Sequence, residues 1–392
     1  MSLAALARTT ASVLLLGTLT AATTPESSPS DPSTSGSEHV RADQWHLKYL
    51  KTPKAHEISL GEGVVVAVID TGIAPHPDLR GNLLPNTDFI SESPGSRQSE
   101  PSSHGTGMAG LIAAHGQGAF GAMGIAPKAK ILPLTFASVE NEGEFGALTN
   151  AILFAASSGA EVICISSSGG PNAALAESID AALAAEVVVV AAAGNRPEDT
   201  SVEYPALYDG VISVGGVDRA GNHAEVSVTG PKIDVVAPAV DIYSTSVDGK
   251  YRKGTGTSDA TAIVAGAVAL IRSKYPYLPA REVVHRLTAT AIDKGPPGRD
   301  DEYGYGVIDI VAALTADVPP LGFGSATASA PAGGGPSTTA AAEPPGDSLG
   351  SDSAATVRGL ATLGVIVAAG VTWAVIVRRR RRGDDPPPRI SR

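Results

Sequence analysis

The feature that most constrains the fold is a series of uninterrupted apolar segments that alternate with helical patterns. The first segment, Val64 to Ile69, contains only valine, alanine and isoleucine. A strand that is apolar at every position must be covered on both faces, as in a parallel sheet between layers of helices. Strands are also predicted at 129–135, 161–166, 187–193, 211–217 and 233–236, and helices at 143–158, 173–185, 259–274 and 279–290. This alternation predicts a three-layer α/β domain with a mostly parallel central sheet.

The composition supports a large core and argues against one class of partner. Hydrophobic residues make up 43% of the 392 residues, and 44 glycines allow close packing. The formal net charge of −11 argues against nucleic acid as a partner. The single cysteine, Cys164, cannot form a disulfide within the chain. Because it lies in an apolar strand pattern, we expect a buried and inert thiol.

The two ends of the chain differ in composition from its centre. Residues 1–24 have the features of an export signal, in which Arg8 supplies the positive charge ahead of an apolar stretch and small residues. Residues 25–43 are predicted to be a disordered extension, since serine and proline dominate and little can be buried. The folded domain is expected at 44–315, followed by a linker rich in Pro, Ala, Gly and Ser at 316–356.

An apolar segment near the C-terminus predicts a membrane anchor. Residues 357–378 are predicted to form a transmembrane helix, because Gly359–Val377 carries no charge. At ~1.5 Å per residue this stretch spans roughly 28 Å, enough to cross a bilayer core. Arginines follow at once and lead into a basic tail, 379–392, which would remain in the cytoplasm. We therefore expect a single-pass protein of the cell membrane with an extracytoplasmic domain.

Five short motifs within the predicted domain contain residue types that are used in hydrolysis. They are Asp70-Thr71-Gly72, Ser103-His104-Gly105, Ser166-Ser167-Ser168-Gly169, Ala193-Gly194-Asn195 and Gly256-Thr257-Ser258. Each has another interpretation when taken singly. Asp-Thr-Gly also marks aspartic proteases, but those need two such aspartates and the sequence has one. Gly105–Gly110 fits a dinucleotide-binding pattern but follows a polar loop rather than a strand. Ser258 precedes an apolar helical run, where serine is common as a helix cap.

In their order and spacing, the five motifs together resemble the subtilisin-like serine proteases over roughly residues 40–315. The resemblance implies a subtilisin-like fold and a serine endopeptidase that forms an acyl-enzyme on Ser258. It makes His104 the general base, Asp70 the residue that orients it, and Asn195 an oxyanion donor. It implies no metal ligand and no required cofactor. Calcium is often bound in the family, but no set of calcium ligands is identifiable in the sequence.

The resemblance also assigns the substrate-binding residues. The segment expected to pair with an extended peptide as an added strand consists of Ser166, Ser167, Ser168 and Gly169. Glu203 precedes a Tyr-Pro pair that in relatives follows the base of the S1 pocket. Its carboxylate would then favour Lys or Arg at P1. An exposed loop acid is an equally weighted alternative.

Asp259 departs from the family pattern, in which an apolar or small residue usually follows the nucleophile. An added carboxylate beside the oxyanion would slow acylation. If its side chain points to solvent instead, it would act as a favourable charge at the start of a helix.

The order of segments resembles that of the mycosins, which are membrane-anchored subtilisin-like proteases associated with type VII secretion. The resemblance implies a protein or peptide substrate and a secretion complex as partner. The alternative function is a structural subunit of such a complex, with slow or dispensable proteolysis. A binding protein without catalysis is disfavoured by the intact Asp70, His104, Asn195 and Ser258.

Overall fold

A parallel sheet forms the centre of the computed structural model, which describes residues 37–90, 101–118, 120–137 and 145–322. The strands are β1 Val65–Asp70, β2 Thr87–Asp88, β3 His115–Gln117, β4 Phe120–Met123, β5 Lys130–Thr135, β6 Val162–Ile165, β7 Val188–Ala192, β8 Ile212–Val217, β9 Val235–Pro238, β10 Ile242–Thr245 and β11 Tyr251–Gly254. The helices are α1 Ser37–Asp43, α2 Trp45–Tyr49, α3 Thr52–His56, α4 Ser103–Ala113, α5 Phe145–Ser157, α6 Ala173–Ala184, α7 Thr257–Lys274, α8 Ala280–Ala289 and α9 Ile310–Thr315.

Seven strands form the central sheet in the order β2-β5-β1-β6-β7-β8-β9, and every neighbouring pair is parallel. Alternate residues of β1 enter two different cores. Val66 and Val68 pack with residues of α4 and α7, whereas Ala67 and Ile69 pack with residues of α5 and α6. Both faces are therefore covered by helices, which is why the strands are apolar at every position. The predicted mostly parallel α/β fold is confirmed.

Helix α7 packs along one face of the sheet, against β6, β7, β8 and β9. Its residues from Ala260 to Ile271 are almost completely buried, and most of them are alanine, valine or glycine. These small side chains let the helix lie close to its neighbours. A Cβ at Gly266 would come within 2.7 Å of the Ile125 side chain. The position of α7 against the sheet fixes the location of its N-terminus, and therefore of Ser258.

The N-terminal boundary of the fold differs from the prediction. Disorder was expected for 25–43, but α1 occupies Ser37–Asp43. Val40 is completely buried, and Arg41 Nε donates a hydrogen bond to the Gly121 carbonyl at 3.0 Å. The expectation is wrong for these residues, because the hairpin β3–β4, distant in sequence, supplies the burial that the local composition lacks. The hairpins β3–β4 and β10–β11 were not predicted either.

Several predicted segments fall outside the described residues. These are the export signal at 1–24, residues 25–36 of the extension, residues 323–356 of the linker, the membrane helix at 357–378 and the basic tail at 379–392. Within 37–90, 101–118, 120–137 and 145–322, no helix combines the length and the apolar character that crossing a bilayer requires.

Gln44, between α1 and α2, links the N-terminal helices to the rest of the domain. Its Oε1 accepts the Met123 N–H at 2.8 Å, and its Nε2 donates to the carbonyls of Met123 at 3.0 Å and Tyr243 at 3.1 Å. The side chain is almost fully buried. These three bonds connect the helical segment to both antiparallel hairpins.

Gln44→Ala is expected to lower the free energy of unfolding by roughly 1–3 kcal/mol, because it leaves partly buried backbone groups without partners. Denaturant unfolding of the two proteins measures the difference. Lys48→Ala, an exposed position on α2, serves as the control and should change little. Equal stability of Gln44→Ala and the parent chain would show that the three bonds contribute nothing.

Candidate active site

Three of the predicted site residues lie at the carboxyl edge of the parallel sheet. Asp70 is the last residue of β1, Ser166 follows β6 directly, and Asn195 lies three residues after β7. Because these strands are parallel and adjacent, their carboxyl ends lie at the same edge, which is where α/β sheets bind ligands.

A carboxylate–imidazole pair lies at the end of β1. His104 Nδ1 donates to the Asp70 carboxylate, 2.9 Å from Oδ1 and 3.1 Å from Oδ2. Asp70 Oδ1 also accepts the N–H of Thr71 at 2.7 Å and its hydroxyl at 2.9 Å. Asp70 is buried, whereas the His104 side chain keeps 38% exposure. Because a carboxylate can only accept, the proton on the neutral ring lies on Nδ1 and leaves Nε2 as a base.

The start of α4 brings His104 to Asp70. Ser102 caps the helix, since its hydroxyl accepts the N–H groups of His104 at 3.1 Å and Gly105 at 3.3 Å. A Cβ at residue 105 would lie 3.1 Å from Asp70 Oδ1 and would clash with the carbonyl oxygen of Gly72. Glycine at 105 therefore permits the close approach of α4 to β1 that the hydrogen bond requires.

Charge coupling shifts the pKa values of this pair in opposite directions. The Asp70 carboxylate raises the pKa of His104 above its ordinary 6.5, against the effect of burial. Burial acts to raise the pKa of Asp70, but His104 and the donors of Thr71 outweigh it and hold that pKa below 3.8. The pair therefore combines an ionised carboxylate with a more basic imidazole.

Ser258 is the second residue of α7, so the helix begins two residues before the predicted 259 and Ser258 lies in its first turn, while Gly256 occupies the cap position. Its hydroxyl donates to the Ser166 carbonyl at 3.2 Å, and the Ser166 hydroxyl donates to the Ser258 carbonyl at 3.3 Å. The side chain is half-buried. These two bonds tie the start of α7 to the end of β6.

Asn195 lies beside the same helix terminus. Its Oδ1 accepts the backbone N–H of Thr257 at 2.8 Å and the Thr257 hydroxyl at 3.1 Å. Since a backbone N–H can only donate, the side-chain oxygen must face Thr257, and the NH₂ group faces away from it. Behind it, Asp199 Oδ2 accepts the Asn195 N–H at 2.7 Å. The amide is thus oriented next to Ser258.

The predicted substrate segment is only partly available for pairing. The N–H of Gly169 donates to the Tyr204 carbonyl at 2.9 Å, and its C=O accepts the Tyr204 N–H at 3.1 Å. Both backbone groups of Gly169 are therefore used within the domain, which corrects its assignment as a substrate-pairing residue. Ser167 and Ser168 make no backbone hydrogen bonds to other described residues. Glu203, next to Tyr204, is half-buried and has its N–H bonded to Ala193.

The structure also bears on the predictions made for Cys164 and Asp259. Cys164 is completely buried and its pKa is raised to about 12 by burial, which confirms the expected inert thiol. Asp259 does not point to solvent, which corrects one of its two interpretations, because its side chain is buried and forms an ion pair. Arg252 Nη1 donates to Asp259 Oδ1 at 2.9 Å. Sequence reasoning missed Arg252, because nothing local marks a strand residue of a hairpin as the partner.

The described part of the chain forms no metal-binding site. Within it, no group of three or more His, Cys, Asp or Glu side chains is arranged to hold a metal ion.

Comparison with known proteins assigns the family. The sequence model of the subtilase family matches residues 61–306, the range that contains Asp70, His104, Asn195 and Ser258. The chain belongs to the subtilase family. Subtilases are serine endopeptidases, hydrolases with an Asp-His-Ser triad, and the predicted enzyme class is thereby confirmed.

Relatives of this subtilase include subtilisins and the MycP1 protease of a type VII secretion system. Subtilisin DY of Bacillus licheniformis is 40% identical over 259 residues, covering 64% of this chain and 91% of that protein. Subtilisin E of Bacillus subtilis (strain 168) is 38% identical over 283 residues, covering 70% and 72%. The structure of MycP1 from Mycobacterium smegmatis has a TM-score of 0.63 at 29% identity, covering 70% of this chain and 85% of that one. A second structure is that of a MycP1 described as an essential component of the type VII (ESX-1) secretion system. It has a TM-score of 0.64 at 32% identity, covering 72% of this chain and 90% of that one.

We predict that the pKa of His104 exceeds 6.5 and falls in Asp70→Asn, because the exchange removes the charge that raises it most. A pH titration of the histidine Cε1–H signals by NMR measures both values. His46 serves as the internal control, since complete burial lowers its pKa to about 3 and its signal should not titrate near neutral pH. An unchanged His104 pKa in Asp70→Asn would contradict the coupling.

Proposed function

We propose that this subtilase is a membrane-anchored, extracytoplasmic endopeptidase that forms an acyl-enzyme on Ser258 and acts with a type VII secretion complex. The observation that carries the chemical part is the 2.9 Å bond between His104 Nδ1 and Asp70, beside the α7 terminus that bears Ser258. The scheme needs no cofactor, because the chain supplies the nucleophile, the base and the oxyanion donors.

In the proposed mechanism, His104 Nε2 takes the proton of Ser258 while the hydroxyl attacks the peptide carbonyl. The Ser258 hydroxyl donates to the Ser166 carbonyl at rest, so the mechanism requires it to leave this acceptor and turn towards His104. His104 then gives the proton to the leaving amine, and Asp70 stabilises the imidazolium in between. Water, deprotonated along the same route, hydrolyses the ester and restores Ser258.

Two donors are proposed to receive the oxyanion. One is the Asn195 NH₂, which is free because Thr257 engages the side-chain oxygen. The other is the backbone N–H of Ser258, one of the first N–H groups of α7 that have no partner within the helix. Donors that are oriented before the reaction lose nothing to reorganisation, and removing one costs roughly 2.7–4 kcal/mol of transition-state stabilisation.

The substrate is proposed to lie along Ser167 and Ser168 as an added strand. In an extended segment, the backbone groups of successive residues point to opposite edges. Because Gly169 faces Tyr204, the N–H and C=O of Ser168 face the other edge. An extended peptide paired there would bring its scissile carbonyl towards Ser258, which is bonded to Ser166.

Glu203 is proposed to select a basic side chain at P1. Burial raises the pKa of Glu203, and the neighbouring Asp199 raises it further. No basic side chain among the described residues forms an ion pair with either carboxylate. A lysine or arginine of the substrate would supply the missing cation.

The cellular setting is proposed from the layout of the chain and from its structural relatives. The predicted membrane helix 357–378, whose stretch Gly359–Val377 carries no charge, and the basic tail 379–392 support a single membrane span with the protease outside. The likeness to MycP1 and to MycP3 from the ESX-3 system supports a place in type VII secretion. The description of MycP1 as an essential component also fits the second candidate, a mainly structural subunit with dispensable proteolysis.

A fluorophosphonate probe is expected to label Ser258, because the probe reacts with a serine whose proton is taken by a base. Mass spectrometry of the labelled peptide identifies the site, and Ser258→Ala should not react. Ser273→Ala, at the far end of the same helix, should be labelled like the parent chain. A folded parent chain that resists the probe would refute the catalytic assignment.

Cells that carry Ser258→Ala separate the two candidate functions. If secretion fails both in Ser258→Ala and on deletion of the gene, proteolysis is the required activity. If secretion continues in Ser258→Ala and stops on deletion, the structural role is the essential one.

Glu203→Gln is expected to lower kcat/KM for a Lys-P1 peptide by about 10-fold or more, the effect of losing a charged hydrogen bond. A matched Leu-P1 peptide should be cleaved at an unchanged rate. Glu198→Gln, an exposed acid on the preceding loop, is the control. Equal cleavage of both peptides, unaffected by Glu203→Gln, would defeat the proposal.

A further inference from the structure

We infer that the ion pair between Arg252, whose side chain is 19% exposed, and the buried Asp259 positions the helix of the nucleophile against the helix of the histidine. The inference rests on the function proposed above and concerns two residues with no assigned substrate contact. Asp259 follows Ser258 in the first turn of α7 and is 1% exposed. Arg252 projects from β11, and its Nη1 lies 2.9 Å from Asp259 Oδ1.

Two glycines leave the space that the pair occupies. A Cβ at Gly107 would lie 2.7 Å from Arg252 Cδ and 2.8 Å from Nη1. A Cβ at Gly254 would lie 2.5 Å from Asp259 Oδ2 and would clash with Arg252 Nη2. Real Cβ atoms do not approach this closely, so a side chain at either glycine would displace the pair. The pair therefore fills a slot between α4 and β11.

The slot connects the pair to the helix that carries His104. Gly107 lies three residues after His104, on the same side of α4. The hairpin β10–β11 is bonded to this turn, since the Ser244 hydroxyl donates to the Gly107 carbonyl at 2.7 Å. Arg252 extends from the same hairpin to Asp259. The N-terminal half of α4 and the first turn of α7 are thus joined through one hairpin and one ion pair.

Stability alone does not account for such a pair. Taking two charges out of water opposes folding, and well-packed apolar side chains often serve equally well. The geometric effect is specific, because it acts on the residue next to the nucleophile and on the helix of the base. A displacement of about 1 Å between reacting groups can reduce catalysis by about 10²-fold.

The pair also adds two opposite charges around the imidazole. The charged groups that face His104 are Asp70 from β1, Arg252 from β11 and Asp259 from α7. Asp70 and Asp259 raise the pKa of His104, and Arg252 lowers it. Loss of Asp259 alone leaves the cation of Arg252 uncompensated beside the base.

Kinetics of Asp259→Asn and of the double variant Arg252→Gln/Asp259→Asn test the inference. Asp259→Asn should lower kcat by about 10- to 100-fold with little change in KM, because positioning rather than binding is disturbed. The acid limb of its kcat/KM profile should move to lower pH. In the double variant this limb should return towards that of the parent, whereas kcat should fall no further, as expected for coupled residues.

Lys253→Gln is the matched control. It breaks the exposed pair between Lys253 and Asp241, 3.1 Å apart on the same hairpin, and should leave kcat unchanged. Thermal unfolding of each variant reports folding. If Asp259→Asn does not fold, kcat of the double variant tests the positioning role instead, because the double variant contains no unpaired buried charge.

Two results would overturn the inference in distinguishable ways. A parent chain that fluorophosphonate labels, together with parental kcat in folded Asp259→Asn or in the double variant, would refute the positioning role alone. A folded parent chain that the probe does not label would refute the proposed function and this role with it.

Discussion

The parallel alignment of the central strands determines where the reactive groups lie. Parallel strands end at a common edge, so Asp70 after β1, Ser166 after β6 and Asn195 after β7 are neighbours although they are distant in the chain. Helix α7 packs beneath these strands and brings Ser258 to the same edge. The hydrogen bonds of Ser258 with Ser166, and of Asn195 with Thr257, follow from this shared position.

The site also requires that backbones approach one another closely. Glycine allows this where α4, which carries His104, and α7, which carries Ser258, pack against their neighbours. Gly105 lets α4 reach Asp70, Gly107 leaves room for Arg252, and Gly266 brings α7 against Ile125. Glycine in a helix costs about 1 kcal/mol relative to alanine. This loss of helix stability is offset by the close packing that brings the side chains of the site within hydrogen-bonding distance.

The site is also oriented before substrate arrives. His104 is held by Asp70, and Asn195 by Thr257, each through more than one hydrogen bond. The Arg252–Asp259 ion pair holds the residue after Ser258 in the same way, with the Asp259 carboxylate almost completely buried. Polar groups fixed in this way stabilise developing charge without reorganising, which is the main source of catalysis in such sites.

The sequence by itself determined the fold class and the alternation of strands β1 and β5–β9 with helices α5–α8, and it identified Asp70, His104, Asn195 and Ser258 as the candidate site residues. These are encoded locally, because apolar runs record burial on both faces and short motifs record tight turns at strand ends. Tertiary structure alone decided that α1 is ordered, that Gly169 pairs with Tyr204, and that Asp259 pairs with Arg252. Each of these depends on a partner supplied by a different element of the fold. Local patterns specify how a segment is built but not which polar group will face it, so these pairings emerge only when the domain is packed.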